Sequence, residues 1–133
     1  MLRQLGDGIP FDLVHPVTNA QELIQAQEEI RRIHVSDQVA DYIVALADAT
    51  RSHPQLQLGM SPRATLALCR LAKAAAYLSG RDYVLPEDVR SLFPDVAVHR
   101  LILTARARAA HATVPDVMQE VLRKVPGPVL RGG

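Results

Sequence analysis

The chain has 133 residues, 48% hydrophobic and 22% charged, which suits one domain with a single core and excludes wholesale disorder. Arg70 and Lys73 interrupt the most apolar stretch, so no run reaches the eighteen or so residues of a membrane span, and the N-terminus lacks the apolar segment of a secretory signal. The net charge of +1 excludes a polycation, although residues 1–98 hold nine Lys/Arg against twelve Asp/Glu and residues 99–133 hold six against two. The single cysteine, Cys69, leaves no internal disulfide and fits a reducing, cytoplasmic setting. With no Trp, two Phe and three Tyr, the core must be built from Leu, Val, Ile and Ala, a composition that favours helices.

Residues 1–17 hold two glycines, two prolines and no sustained period, and read as a linker. Thr18, with Gln21 three places on, predicts a capping box opening a helix with Ala20, Leu23, Ile24, Gln27 and Ile30 along one side. Ser36 caps a second helix, striped by Val39, Tyr42, Ile43, Leu46 and Ala47, with Asp37, Asp41 and Asp48 facing out. His53-Pro54 ends it. A loop from Gln55 to Met60 precedes Ser61-Pro62, a strong helix start with serine as N-cap and proline at the first helical position. That helix runs to about Ser79, closes on Gly80, and is apolar almost all round, so it is expected to be the buried central helix. Pro86 opens a short helix that Pro94 is expected to end. Further helical pieces follow near Val96–Leu103, before the basic stretch Arg106–His111, and after Thr113 up to Pro126-Gly127-Pro128. Five or six helices and no period-two alternation make the fold class all-α, a small helical bundle.

No phosphate-binding glycine loop of either common kind occurs. The five histidines lie far apart with no i, i+4 pair, so no metal site is expected. Gly59-Met60-Ser61-Pro62-Arg63 begins like a nucleophile elbow but lacks the second glycine and a preceding predicted strand. Cys69 sits mid-helix among Leu and Ala, the position of a small core residue. No catalytic residue is expected within the chain.

Arg63 is the residue that stands out. At the second position of a helix a cation opposes the macrodipole, at a cost of roughly 0.3–1 kcal/mol. An anion docked there would meet helix amides and guanidinium together. Arg70, seven residues on, lies about 20° away around the helix, with Lys73 on the same side. By spacing alone this basic stripe reads equally as the solvent face of a core helix.

The order of several stretches resembles the C-terminal helical lid of AAA+ ATPases of the MoxR family. They are Val14-His15-Pro16-Val17, Glu28 to Asp37, Asp41-Tyr42-Ile43-Val44, Thr50-Arg51-Ser52-His53-Pro54, and Leu58-Gly59-Met60-Ser61-Pro62-Arg63-Ala64. Gly80 to Val89, His99-Arg100-Leu101 and the closing helix into Val125-Pro126 complete them. The resemblance covers roughly residues 10–128. It implies a linker from a missing ATPase core at 1–17, the lid at 18–126 and a tail at 127–133. The core, N-terminal to the lid in a longer protein, would supply the phosphate loop, the Mg-binding acidic motif and the arginine finger, so ATP and Mg are expected only through it. The arginine of the Gly-x-Ser-Pro-Arg-Ala stretch resembles the family's sensor-2 residue, which contacts the ATP γ-phosphate. That role carries over to Arg63, and more weakly to Ser61 and Pro62 beside it. The resemblance further implies a homo-oligomeric, hexameric ring, chaperone-like work on protein complexes, and a partner with a von Willebrand factor A domain, with neither membrane nor nucleic acid. Leu85, where the family carries Thr or Ser, predicts a frayed start to the helix at Pro86.

Two other classes compete. A stand-alone DNA-binding module would concentrate Lys/Arg on the helix after Gly80, where Arg90 is set against Glu87 and Asp88. An interaction module would use the basic third from His99 onward to dock an acidic partner.

Overall fold

Six helices and one short ribbon make up residues 19–129, which the computed structural model describes. In chain order they are α1 (Ala20–Arg31), α2 (Asp37–Arg51), β1 (Leu56–Leu58), α3 (Pro62–Leu78), α4 (Pro86–Ala97), β2 (Ile102–Leu103), α5 (Ala105–Ala109) and α6 (Val114–Lys124). The all-α reading holds, and no helix among the described residues is long and apolar enough to cross a membrane. The linker at 1–17, the cap at Thr18 and residues 130–133 of the tail lie outside the described residues.

Local chemistry sets most boundaries. Ser36 and Thr113 cap α2 and α6 as expected, each side-chain oxygen taking a backbone N–H three residues on. The cap of α1 is Asn19, whose Oδ1 accepts the Glu22 amide at 2.8 Å. Asparagine is the better cap and competes one residue later than the threonine reading had it. α3 ends on Gly80, whose φ of +82° lets the Arg81 and Gly80 amides reach back to the Ala76 and Tyr77 carbonyls. His111, with φ +64°, closes α5 by the same pair of bonds without the glycine.

Several expectations fail for physical reasons. Pro94 does not end α4. Proline removes only the bond to the Arg90 carbonyl, its own carbonyl still accepts the Val98 amide at 3.0 Å, and continuing the helix buries Val96 and Ala97. The loop before α3 and the helical piece near Leu103 are instead an antiparallel ribbon, Leu56 opposite Leu103 and Leu58 opposite Ile102. Strands of three and two residues are too short to show alternation, and burial of Leu56 and Leu103 holds them. α3 is buried along one face only: Ala64, Leu68, Ala72 and Ala76 recur every four residues, and the small side chains let α4 pack closely while Leu66 stays half exposed. The start of α4 is held, not frayed. Leucine offers no acceptor, but Asp88 Oδ2 takes the Leu85 amide at 2.8 Å, and Arg81 grips that carboxylate with both guanidinium arms at 2.8 and 2.9 Å.

The core lies between α2, α3, α4 and α6, centred on Leu46, Leu68, Val89, Phe93 and Val121. The predicted apolar stripe of α1 is largely uncovered: Leu23 and Ile24 are exposed and Ile30 is half-buried. α1 is attached to α3 by polar contacts, Tyr77 donating to Glu29 at 2.5 Å and Lys73 to the Arg31 carbonyl at 3.3 Å. A parallel bridge joins His34 to Tyr83, through His34 N–H to Asp82 and Val84 N–H to His34.

The end of α2 is tied to α6 through His53, buried to 9% exposure. Its Nδ1 accepts the Gln55 amide, so Nε2 carries the hydrogen and donates to Glu120 Oε1 at 3.0 Å. Glu120 also meets Lys124 at 2.9 Å, and Lys124 first, then His53, hold its carboxyl below the ordinary value of 4.5. A carboxylate with a lowered folded pKa stabilises fully above its unfolded value and loses that contribution as pH falls through the folded one. Urea titrations of wild type and Glu120→Gln are therefore expected to differ in stability at pH 6 and to converge below pH 4.5. An unchanged gap at low pH would show that the carboxylate charge contributes nothing.

Candidate functional site

The N-terminus of α3 is built in three steps. Ser61, extended at φ −75° and ψ 164°, turns its hydroxyl onto the Ala64 amide at 3.1 Å, and its carbonyl takes the Thr65 amide at 2.9 Å. Pro62 occupies the first helical position, where its missing N–H costs nothing. Arg63 follows, exposed, with no hydrogen bond or ion pair to another described residue, and its own amide is likewise unused. Ser61 and Pro62 thus shape the turn, and Arg63 alone presents a free charge there.

The residue before this turn is gripped from α2. Thr50, fully buried, accepts the Met60 amide on Oγ1 at 2.9 Å and donates the same hydroxyl to the Ala47 carbonyl at 2.6 Å. Arg51 donates to the Met60 carbonyl at 2.7 Å and to Asp48 at 2.6 Å. Gly59 lies so close to α2 that a Cβ there would stand 2.6 Å from the Arg51 Cα and N. In the sequence Thr50-Arg51 stands only among the stretches that carry the family resemblance; the meeting of the two helix ends at Met60 has no local signal. A strand, β1, does precede the Gly59–Arg63 stretch, against expectation, yet the Ser61 hydroxyl is spent on its cap and no described histidine bonds to it.

The remaining basic residues divide. Arg70 is exposed on the same helix, whereas Lys73 is engaged with the end of α1. In the basic third, Arg100 and Arg108 turn inward onto the Val96 and Leu103 carbonyls at 2.8 and 2.9 Å. Arg90 reaches the Leu122 carbonyl beside the acids Glu87 and Asp88, which is not the basic face a DNA-reading helix presents. Between α2 and α3 runs an open apolar groove of about 360 Å³, lined by Ile43, Val44, Arg51, Pro62, Leu66 and the half-buried Cys69. No group of three His, Cys, Asp or Glu among the described residues could hold a metal ion.

The chain is similar to known proteins over most of its length. The family model of the AAA lid domain matches residues 48–121. An uncharacterised protein of Bacillus subtilis, YeaC, is 35% identical over 92% of this chain and 38% of its own length. The chaperone MoxR1 of Mycobacterium tuberculosis is 36% identical over 82% of this chain and 31% of its own. The crystal structure of a presumptive ATPase from Cytophaga hutchinsonii superposes with a TM-score of 0.76 at 32% identity, over 82% of this chain and 36% of that one. The chain spans about a third of the length of the curated relatives it matches. A capped helix carrying Gly-x-Ser-Pro-Arg at its start, within a helical bundle of this topology, places the chain in the AAA lid domain family, as the helical lid of a MoxR-family AAA+ ATPase.

Proposed function

We propose that this lid closes over ATP held by an N-terminal AAA+ core, with Arg63 sensing the γ-phosphate. The observation that carries the reading is the free Arg63 guanidinium, exposed beside its own unused amide at the start of a 17-residue helix. Left alone, that cation opposes the helix dipole; with a phosphate present, guanidinium and amide point at one charge. Among the described residues nothing gives Arg63 a structural task. These groups fit a phosphate and not a magnesium ion, which takes oxygen ligands, so Mg and the hydrolytic groups fall to the core. ATP supplies the bond to be broken. Arg63 would hold an oxygen of the terminal phosphoryl group and, through α3, make the position of the lid depend on it.

The same reading puts the protein in the cytoplasm as a homo-oligomeric, hexameric ring with chaperone-like work on protein complexes, beside a partner with a von Willebrand factor A domain. It is supported by the likeness to a protein named a chaperone and by the family resemblance of the motifs. The test is made on the full-length ATPase: nucleotide affinity and turnover are compared between wild type and Arg63→Ala, and turnover is expected to suffer far more. A second measurement uses the 133-residue chain alone. It is expected to give a cooperative melt and no ATP hydrolysis above a buffer blank; turnover that survives purification from contaminating ATPases would contradict the division of labour.

A further inference from the structure

We infer that Thr50 and Arg51 are positioning residues for Arg63, so that the last turn of α2 fixes where the phosphate-sensing end of α3 stands. The inference rests on the reading of Arg63 just given, and concerns side chains that touch no nucleotide themselves.

Both polar groups of one peptide residue, Met60, are held by two consecutive side chains: its N–H by Thr50 Oγ1 and its C=O by Arg51 Nη1. Each holder is itself oriented, Thr50 by the Ala47 carbonyl and Arg51 by the Asp48 carboxylate, so neither swings freely. The Met60 side chain is fully buried, and Gly59 brings the backbone against Thr50 and Arg51 more closely than any other residue permits. Only Ser61 and Pro62 separate this grip from Arg63. Ser61 is committed to its cap and the ring of Pro62 fixes its own φ near −65°, so little backbone freedom remains between the grip and Arg63.

Burial of Met60 already requires that its N–H and C=O be paired, and any polar partner would meet that need. What the paired side chains add is a fixed location. Displacing a charge-stabilising group by about 1 Å can cost on the order of a hundredfold in rate. Thr50-Arg51 also ends the helix that walls the apolar groove.

The experiment measures steady-state ATP turnover in the full-length ATPase for Thr50→Val, Thr50→Ser and Arg51→Gln, each alone and combined with Arg63→Ala. Thr50→Val, which keeps the shape and loses the hydroxyl, and Arg51→Gln are expected to lower kcat about tenfold or more with KM changed less than about twofold. Thr50→Ser, which keeps both hydrogen bonds, is expected to restore the wild-type rate. On the Arg63→Ala background neither Thr50→Val nor Arg51→Gln should lower kcat further, because the effect runs through Arg63. Thr50 is buried and its valine variant could unfold; Arg51 is 41% exposed, so Arg51→Gln keeps the test open. Slow Arg63→Ala beside a normal Arg51→Gln would overturn the inference alone, as would an equal loss with and without Arg63. Arg63→Ala turning over ATP at the wild-type rate would overturn the sensor reading, and this inference with it.

Discussion

Gly59→Ala is expected to destabilise the domain by about 3 kcal/mol, the upper end for forcing one extra carbon into a packed site. The added Cβ would stand 2.6 Å from the Arg51 Cα and N and 2.7 Å from the Thr50 carbonyl carbon, all of them backbone atoms of a helix end that cannot swing aside. Opposing this, alanine restricts the unfolded chain and by itself would stabilise by about 0.4–1 kcal/mol. The collision is larger, so the sign is settled. For a domain of this size the loss corresponds to a melting temperature lower by on the order of 10 °C. Gly80→Ala offers a contrast with a different cause: nothing lies within 4 Å of its Cβ, but its φ of +82° strains any L side chain. Its cost is expected to be about 1–2 kcal/mol. Thermal melts of the two variants followed by circular dichroism check the order. A Gly59→Ala variant melting within two or three degrees of wild type would mean that α2 and the β1–α3 turn are not in contact.

Where a residue acts on its immediate neighbours, the sequence alone was enough for most helix ends. Ser36, Ser61, Thr113, Pro62, Pro86 and Gly80 each announce a helix end by chemistry that reaches three or four residues, and the structure uses them so. The cap of α1 at Asn19 and the acceptor that Asp88 gives Leu85 are local misses; the larger failures are those of longer reach. Pro94 reads as a stop because its local cost is known, yet the gain from burying Val96 and Ala97 is tertiary and invisible to a window. The ribbon pairs residues 56 and 103, some fifty positions apart, through strands too short to leave a pattern. α1 carries a stripe that locally predicts a buried face, and the described residues cover only its Ile30 end.

The site divides in the same way. Arg63 could be singled out because a cation at a helix N-terminus violates a local rule, and such violations concentrate at functional positions. Lys73, grouped with it by helical spacing, is instead engaged with the last carbonyl of α1, a contact across forty-two residues. Thr50 and Arg51 read in the sequence as the end of a helix and as part of the family resemblance, with no role of their own. Their importance to the α3 terminus depends on Met60 arriving beside them, which no periodicity encodes.

Arg63→Ala should separate chemistry from both folding and binding. Stability is expected to stay within about 0.5 kcal/mol of wild type, since an exposed side chain without a partner among the described residues is removed and an unfavourable charge–dipole contact goes with it. In the full-length ATPase, nucleotide affinity is expected to change only a fewfold, because the core holds most of the molecule. kcat is expected to fall on the order of a hundredfold, as for other deletions of one donor to developing charge. The asymmetry is what a contact made better in the transition state than in bound ATP produces: its removal raises the barrier more than it weakens the ground state. Arg63→Lys sharpens the test. It keeps the charge at the helix terminus but not the planar fork, and should recover part of the rate, by electrostatics, without reaching wild type. Equal losses for Ala and Lys would assign the effect to the two-armed geometry alone. A melting temperature several degrees lower for Arg63→Ala, or normal turnover, would instead make Arg63 a structural residue of the lid.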